Sequence, residues 1–87
     1  MADVVLTPEA QEQLEALPLT IHARVVRVFE RLEDWPTVSG AKPLRGELAG
    51  YYRVRTGDYR VLFTVEGAGR NALVTVVQIG KRDGFYD

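Results

Sequence analysis

Tyr51-Tyr52-Arg53-Val54-Arg55-Thr56-Gly57-Asp58-Tyr59-Arg60-Val61-Leu62-Phe63-Thr64-Val65 is the stretch that decides the fold. Two runs rich in aromatic and β-branched residues flank Gly57-Asp58, the pattern of a β-hairpin closed by a tight turn. A two-residue loop pairs Thr56 with Tyr59 and therefore Arg55 with Arg60, and a four-residue loop keeps the same parity. In that register Tyr52, Val54, Tyr59, Val61, Phe63 and Val65 share one apolar face, and Arg53, Arg55, Arg60 and Leu62 share the other.

On the C-terminal side, Glu66 to Ala72 reads as a looser connection and Leu73 to Gly80 as a third strand. Its nearly continuous apolar run (Leu73, Val74, Val76, Val77, Ile79) predicts a central position in the sheet. Simple alternation groups Val74, Val76, Gln78 and Gly80 with Arg82, and the small Gly80 and polar Gln78 suit an open surface. Toward the N-terminus, Thr37 to Leu48 is punctuated by Gly40, Pro43 and Gly46 and reads as a connection with a short strand near its end.

Before that segment the periodicity is helical. Val4-Val5-Leu6 forms a short strand, Thr7-Pro8 opens a helix, and Ala10, Leu14 and Leu17 make its apolar stripe before Pro18 closes it. A second helix runs from about Leu19 or Thr20 to Asp34. Ile21, Val25, Val28, Phe29 and Leu32 form its apolar face, with Arg24, Arg27 and Arg31 on the other side. Pro36 disfavours helical geometry at Trp35 and ends it. The expected architecture is a single α+β domain over residues 1–87: two N-terminal helices packed on a mainly antiparallel twisted sheet of about four strands, ordered β-α-α-β-β-β.

Composition narrows the function classes. An 87-residue chain, 46% hydrophobic, has room for one core and no second domain. It has no cysteine and one histidine, which excludes a disulfide framework and thiol chemistry and makes a metal site improbable; no cofactor is expected. His22 reads as an ordinary surface residue early in the second helix. Nothing in the sequence resembles a signal peptide or a membrane span, so a cytoplasmic location is expected. Charge is unevenly divided: residues 1–41 carry three arginines against seven acids, and residues 42–87 eight bases against five acids. A local basic patch can hold a polyanion despite the overall net charge of −1, because screening removes distant charges within about 10 Å at 0.1 M salt. The counts alone equally admit chance in so short a chain.

Two arginines directly opposite one another destabilise a strand pair by about 0.2–1 kcal/mol. A bound anion offsets this, since guanidinium forks match phosphate oxygens. A structural network through Glu47 or Asp83 is the alternative. Tyr86, after Arg82, can stack on a base or use its hydroxyl in proton transfer, or Phe85-Tyr86 can simply pack the chain terminus.

The ordered set Pro8-Glu9-Ala10, Lys42-Pro43-Leu44-Arg45-Gly46, Tyr52-Arg53-Val54-Arg55, Gly57-Asp58-Tyr59-Arg60-Val61, Gly80-Lys81-Arg82-Asp83 and Tyr86 resembles the RelE/ParE toxin superfamily of type II toxin–antitoxin systems. The resemblance covers nearly the whole chain and implies the fold already read. For RelE-like members it implies a metal-independent endoribonuclease, or mRNA interferase, that cleaves mRNA in the ribosomal A site and inhibits translation. The RNA 2′-hydroxyl then attacks the adjacent phosphate.

Carried over by position, the resemblance assigns catalytic roles to Arg55, Arg60, Arg82 and Tyr86. Arg60 stabilises the phosphorane-like charge, Arg82 contacts phosphate, and Tyr86 stacks on or activates the substrate. Arg53 and Arg55 fall where basic residues bind RNA and assist proton transfer, and Lys42, Arg45 and Lys81 join Arg53 as RNA-binding residues. Arginine, which keeps its proton at any relevant pH, is a poor general base. The expected partner is a cognate antitoxin protein. The alternatives are a ParE-like inhibitor of DNA gyrase without nuclease activity, or an inactive antitoxin-binding module.

Overall fold

The computed structural model describes residues 1–81. The elements are β1 (Asp3–Leu6), α1 (Pro8–Glu15), α2 (Leu19–Leu32), β2 (Lys42–Pro43), β3 (Tyr51–Thr56), β4 (Tyr59–Glu66) and β5 (Leu73–Lys81), with 3-10 turns at Gly46–Leu48 and Gly69–Asn71. Thr7 caps α1: its hydroxyl oxygen accepts the Ala10 amide proton at 3.1 Å, and Pro8 occupies the first turn, where no amide proton is needed. The second helix ends at Leu32, two residues before the expected Asp34, and a run of turns leads to Pro36.

The strands form one mixed sheet in the order β1-β5-β4-β3-β2. It has five strands where the sequence suggested about four; the fifth, β2, is a two-residue strand in the middle of the 37–48 connection, where a short strand is expected nearer its end, and it pairs Lys42 with Arg53 and Pro43 with Tyr52. Only β1 and β5 run parallel, and β5 lies centrally between β1 and β4, as its apolar run requires.

The helices cover one face. Val25, Val28 and Leu32 of α2 and Ala10 and Leu14 of α1 are buried against Val54, Val61, Phe63, Val74, Val76 and Ile79 of the sheet. Trp35 packs edge-on against Tyr52 and Phe63, with centroids 4.9 and 5.7 Å away, while Tyr52 and Phe63 stack at 5.6 Å. These rings close the core where α2 ends. Burial of a large apolar side chain such as Phe63 contributes about 1.5–3 kcal/mol.

Simple alternation fails along β5. Its partner register steps from Leu62↔Gln78 to Phe63↔Val76, leaving Val77 as an extra residue. This β-bulge places Val74, Val76 and Ile79 on the helix face and Gln78 and Gly80 on the opposite one, so the expected grouping of all four alternate residues does not hold. Among the described residues, no helix is long and apolar enough to cross a membrane.

Candidate nucleic-acid interface

The β3–β4 hairpin adopts the register set by its turn: Thr56 opposes Tyr59, and Arg55 opposes Arg60. Gly57 takes φ +60, the left-handed region that a tight hairpin turn requires. Two transverse rows follow on the face away from the helices. One runs Lys42, Arg53, Leu62, Gln78 and the other Arg55, Arg60, Gly80. Lys42, Arg53, Arg55 and Arg60 therefore share one face of the sheet.

The four differ in exposure. Arg60 retains 1% of its surface and Arg53 9%, whereas Arg55 and Lys42 are exposed. They also differ in position. Arg60 sits in β4 between two strands, Arg53 is flanked by Lys42 and Leu62, and Arg55 lies past the end of the short β2. Arg60 Nε and Nη2 and Arg53 Nε are cut off from solvent, and none of Arg53, Arg55 and Arg60 stands free of interactions. A buried guanidinium is tolerated only with such engagement.

The remaining site candidates divide. Lys81 pairs with Tyr59, so register turns it away from Arg60 and Gly80. Arg45 is exposed in the turn before Gly46–Leu48, outside both arginine rows. Glu47, a candidate counter-charge, is exposed in that same turn. Arg82 and Tyr86, with Asp83, lie outside the described residues.

Two features escape sequence reading. An open cleft of about 760 Å³ separates α2 from the β3–β4 turn, and Arg24, Arg27 and Arg31 of α2 line it together with Arg55. Arg24 reaches across it: a β-carbon at Gly57 would lie 3.1 Å from Arg24 Nη1. The spacing of the three arginines carries the signal, but the net acidity of the N-terminal half conceals it. Secondly, Gln13 Oε1 accepts the Ile79 amide proton at 2.7 Å, joining α1 to the end of β5 that carries Gly80.

Comparison with known proteins agrees with this architecture. Residues 4–84 match the family described as "ParE toxin of type II toxin-antitoxin system, parDE". Toxin RelE and Toxin RelG of Mycobacterium tuberculosis are each 36% identical over 84 residues, spanning 95% of this chain and 84% and 93% of theirs. The crystal structure of the RelBE2 toxin–antitoxin complex from the same organism superposes with a TM-score of 0.78 at 33% identity, covering 92% of this chain and 96% of that one. The YoeB/ParE toxin of Agrobacterium tumefaciens shares the fold, with a TM-score of 0.77 at 22% identity over 92% of this chain and 98% of its own. A five-stranded mixed sheet carrying two N-terminal helices, matched in sequence over nearly its full length, makes this chain a member of the RelE/ParE family of type II toxins.

Proposed function

We propose that this toxin is a metal-independent endoribonuclease that cleaves mRNA in the ribosomal A site, and that a cognate antitoxin restrains it. The observation that carries the reading is the Arg55–Arg60 pair beside Arg53 and Lys42 on one sheet face. Like charges held in direct opposition favour a ligand that bridges them, and phosphate is the anion whose geometry guanidinium forks match. The antitoxin follows from relatives that are themselves toxin–antitoxin complexes, including those from Mycobacterium tuberculosis and Pyrococcus horikoshii.

The chemistry balances without a cofactor. The O2′–phosphorus bond forms as the phosphorus–O5′ bond breaks, leaving a 2′,3′-cyclic phosphate and a 5′-hydroxyl. The proton lost by O2′ must be taken up by a base, and O5′ must gain one as it leaves. Arginine suits the charge on the pentacoordinate phosphorus and is unsuited to the base role. Arg55, Arg60 and Arg82 are accordingly assigned to phosphate, with Arg53 and Lys42 along the RNA, and Tyr86 to proton transfer or stacking; Lys81, turned to the other face, and Arg45, outside the rows, serve the RNA only where it extends past this face. Because Arg60 is buried, this assignment requires it to become accessible when RNA binds.

A second reading, inhibition of DNA gyrase without nuclease activity, is favoured by the match to the family described as ParE and by the burial of Arg60. An in vitro translation assay with mapped mRNA ends separates the two. The nuclease reading expects cleavage by the native chain, loss with Arg60→Ala or Arg82→Ala, and strong reduction with the exposed-site variant Arg55→Gln. Intact mRNA together with inhibited gyrase supercoiling selects the second reading.

A further inference from the structure

We propose that the cleft between α2 and the β3–β4 turn is a second binding site, for the phosphodiester backbone of a nucleic-acid strand, adjoining the Arg53–Arg60 rows and sharing Arg55 with them. Arg24, Arg27 and Arg31 recur at intervals of three and four residues, so they form one stripe along α2, spanning about 10 Å at 1.5 Å per residue. Arg55, Thr56 and Gly57 line the cleft from the hairpin side. The absence of a β-carbon at Gly57 leaves room for the Arg24 guanidinium to extend over the turn.

Charge and shape indicate the occupant. Four arginines against Glu30 and Asp34 leave the lining with a net charge of +2, on a chain whose total is −1. At about 760 Å³ and open along one side, the cleft exceeds what one phosphate needs and suits an extended chain. All four cations are arginines, the side chain whose planar fork matches phosphate oxygens in pairs. A protein partner fits less well, because a stable protein interface needs an apolar centre and Val28 is the one aliphatic residue among those lining the cleft. Glu30 and Asp34 temper the site. They lie three residues beyond Arg27 and Arg31 and hold its affinity below that of an all-basic groove.

The site goes beyond the nuclease reading and stands without it, so its test excludes cleavage. Fluorescence anisotropy would follow binding of a labelled 2′-O-methyl RNA of about 12 nucleotides, which has no 2′-hydroxyl to attack, and of DNA of the same sequence. The salt range is roughly 50 to 300 mM KCl, because each phosphate that the protein neutralises adds about 0.7 to the steepness of log K against log salt for single strands. Arg24→Gln/Arg31→Gln should weaken binding roughly tenfold or more at low salt and reduce the slope by about 1.4.

Glu30→Gln/Asp34→Asn should tighten binding a few-fold, a gain that damage to the fold does not produce. An arginine-variant effect on both strands identifies the phosphate chain of either nucleic acid as the occupant, and an effect on RNA alone identifies RNA. Unchanged affinity and slope for both strands in the arginine variant, with circular dichroism matching the native chain, overturn the proposal. So does a glutamate-rich peptide that binds with Arg24- and Arg31-dependent affinity while the nucleic acids ignore the substitutions; that outcome assigns the cleft to an acidic protein segment.

Discussion

Gln13, on the first helix, takes the place of a missing strand for Ile79. β1 pairs with β5 only as far as Leu6↔Val76, and the Thr7 amide adds one more bond to the Val76 carbonyl; beyond that point, among the described residues, the β1-facing side of β5 has no strand beside it. The Gln13 carboxamide oxygen fills the position by accepting the Ile79 amide proton at 2.7 Å in a partly buried setting. Leaving such a donor unsatisfied costs about 1–3 kcal/mol. Gln13→Leu, similar in size but without an acceptor, should lose that much in urea unfolding and show faster hydrogen exchange at the Ile79 amide. Gln13→Glu, which keeps an oxygen there, should retain most of the protection; equal losses in the two variants would assign the effect to packing.

The hairpin turn and α2 are coupled through Gly57 and Arg24. Gly57→Ala imposes a left-handed conformation on a residue with a β-carbon, costing about 1–2 kcal/mol. It also brings that carbon to 3.1 Å from Arg24 Nη1, so the guanidinium must give way. In a double-mutant cycle with Arg24→Ala, the backbone cost should persist and the steric part should vanish. Denaturation midpoints of the four proteins measure the coupling, and strict additivity would show that Arg24 moves aside without cost.

Much of this molecule is legible in its sequence because local physics and tertiary packing agree. Gly57-Asp58 specifies the turn, the turn specifies Arg55 opposite Arg60, and the resulting apolar face is the one the helices cover. Two features depend on information that periodicity does not contain. The Val77 bulge is invisible in an apolar run where Val76, Val77 and Ile79 are chemically alike, and the two-residue β2 is defined by its pairing with Arg53 and Tyr52, with no pattern of its own. Exposure is hidden for a related reason. Alternation assigns Arg53 and Arg60 to a face, but it carries no information on how much of each side chain meets water.

The start of α1 rests on one side chain. Thr7 satisfies the Ala10 amide at 3.1 Å, and α1 has only eight residues, too few for intrinsic helix stability to compensate. Thr7→Ala should therefore cost about 1 kcal/mol, while Thr7→Ser, which keeps the oxygen, should lie within a few tenths of the native chain. Because α1 also supplies Gln13, Thr7→Ala should raise exchange at the Ile79 amide as well. Protection at Ile79 unaffected by the cap would show that Gln13 is held by its packing alone.

Arg55 and Arg60 face each other with unequal surroundings, and the inequality predicts opposite responses. Arg55 is exposed beyond the end of β2, so Arg55→Gln removes a like charge without opening a cavity and should stabilise the native state by about 0.2–1 kcal/mol at low salt. That gain should shrink as salt rises, because exposed charges are screened within about 10 Å at 0.1 M and less at higher ionic strength. Arg60 is 1% exposed, and Arg60→Gln strands whatever groups engage its guanidinium in a place that salt reaches poorly; it should destabilise at every ionic strength. Urea unfolding at low and high salt reads both differences. If Arg55→Gln gains stability while losing toxicity, the opposed pair is a strained arrangement kept for binding an anion. If it loses stability at low salt, the contacts made by Arg55 outweigh the repulsion and the pair is part of the scaffold.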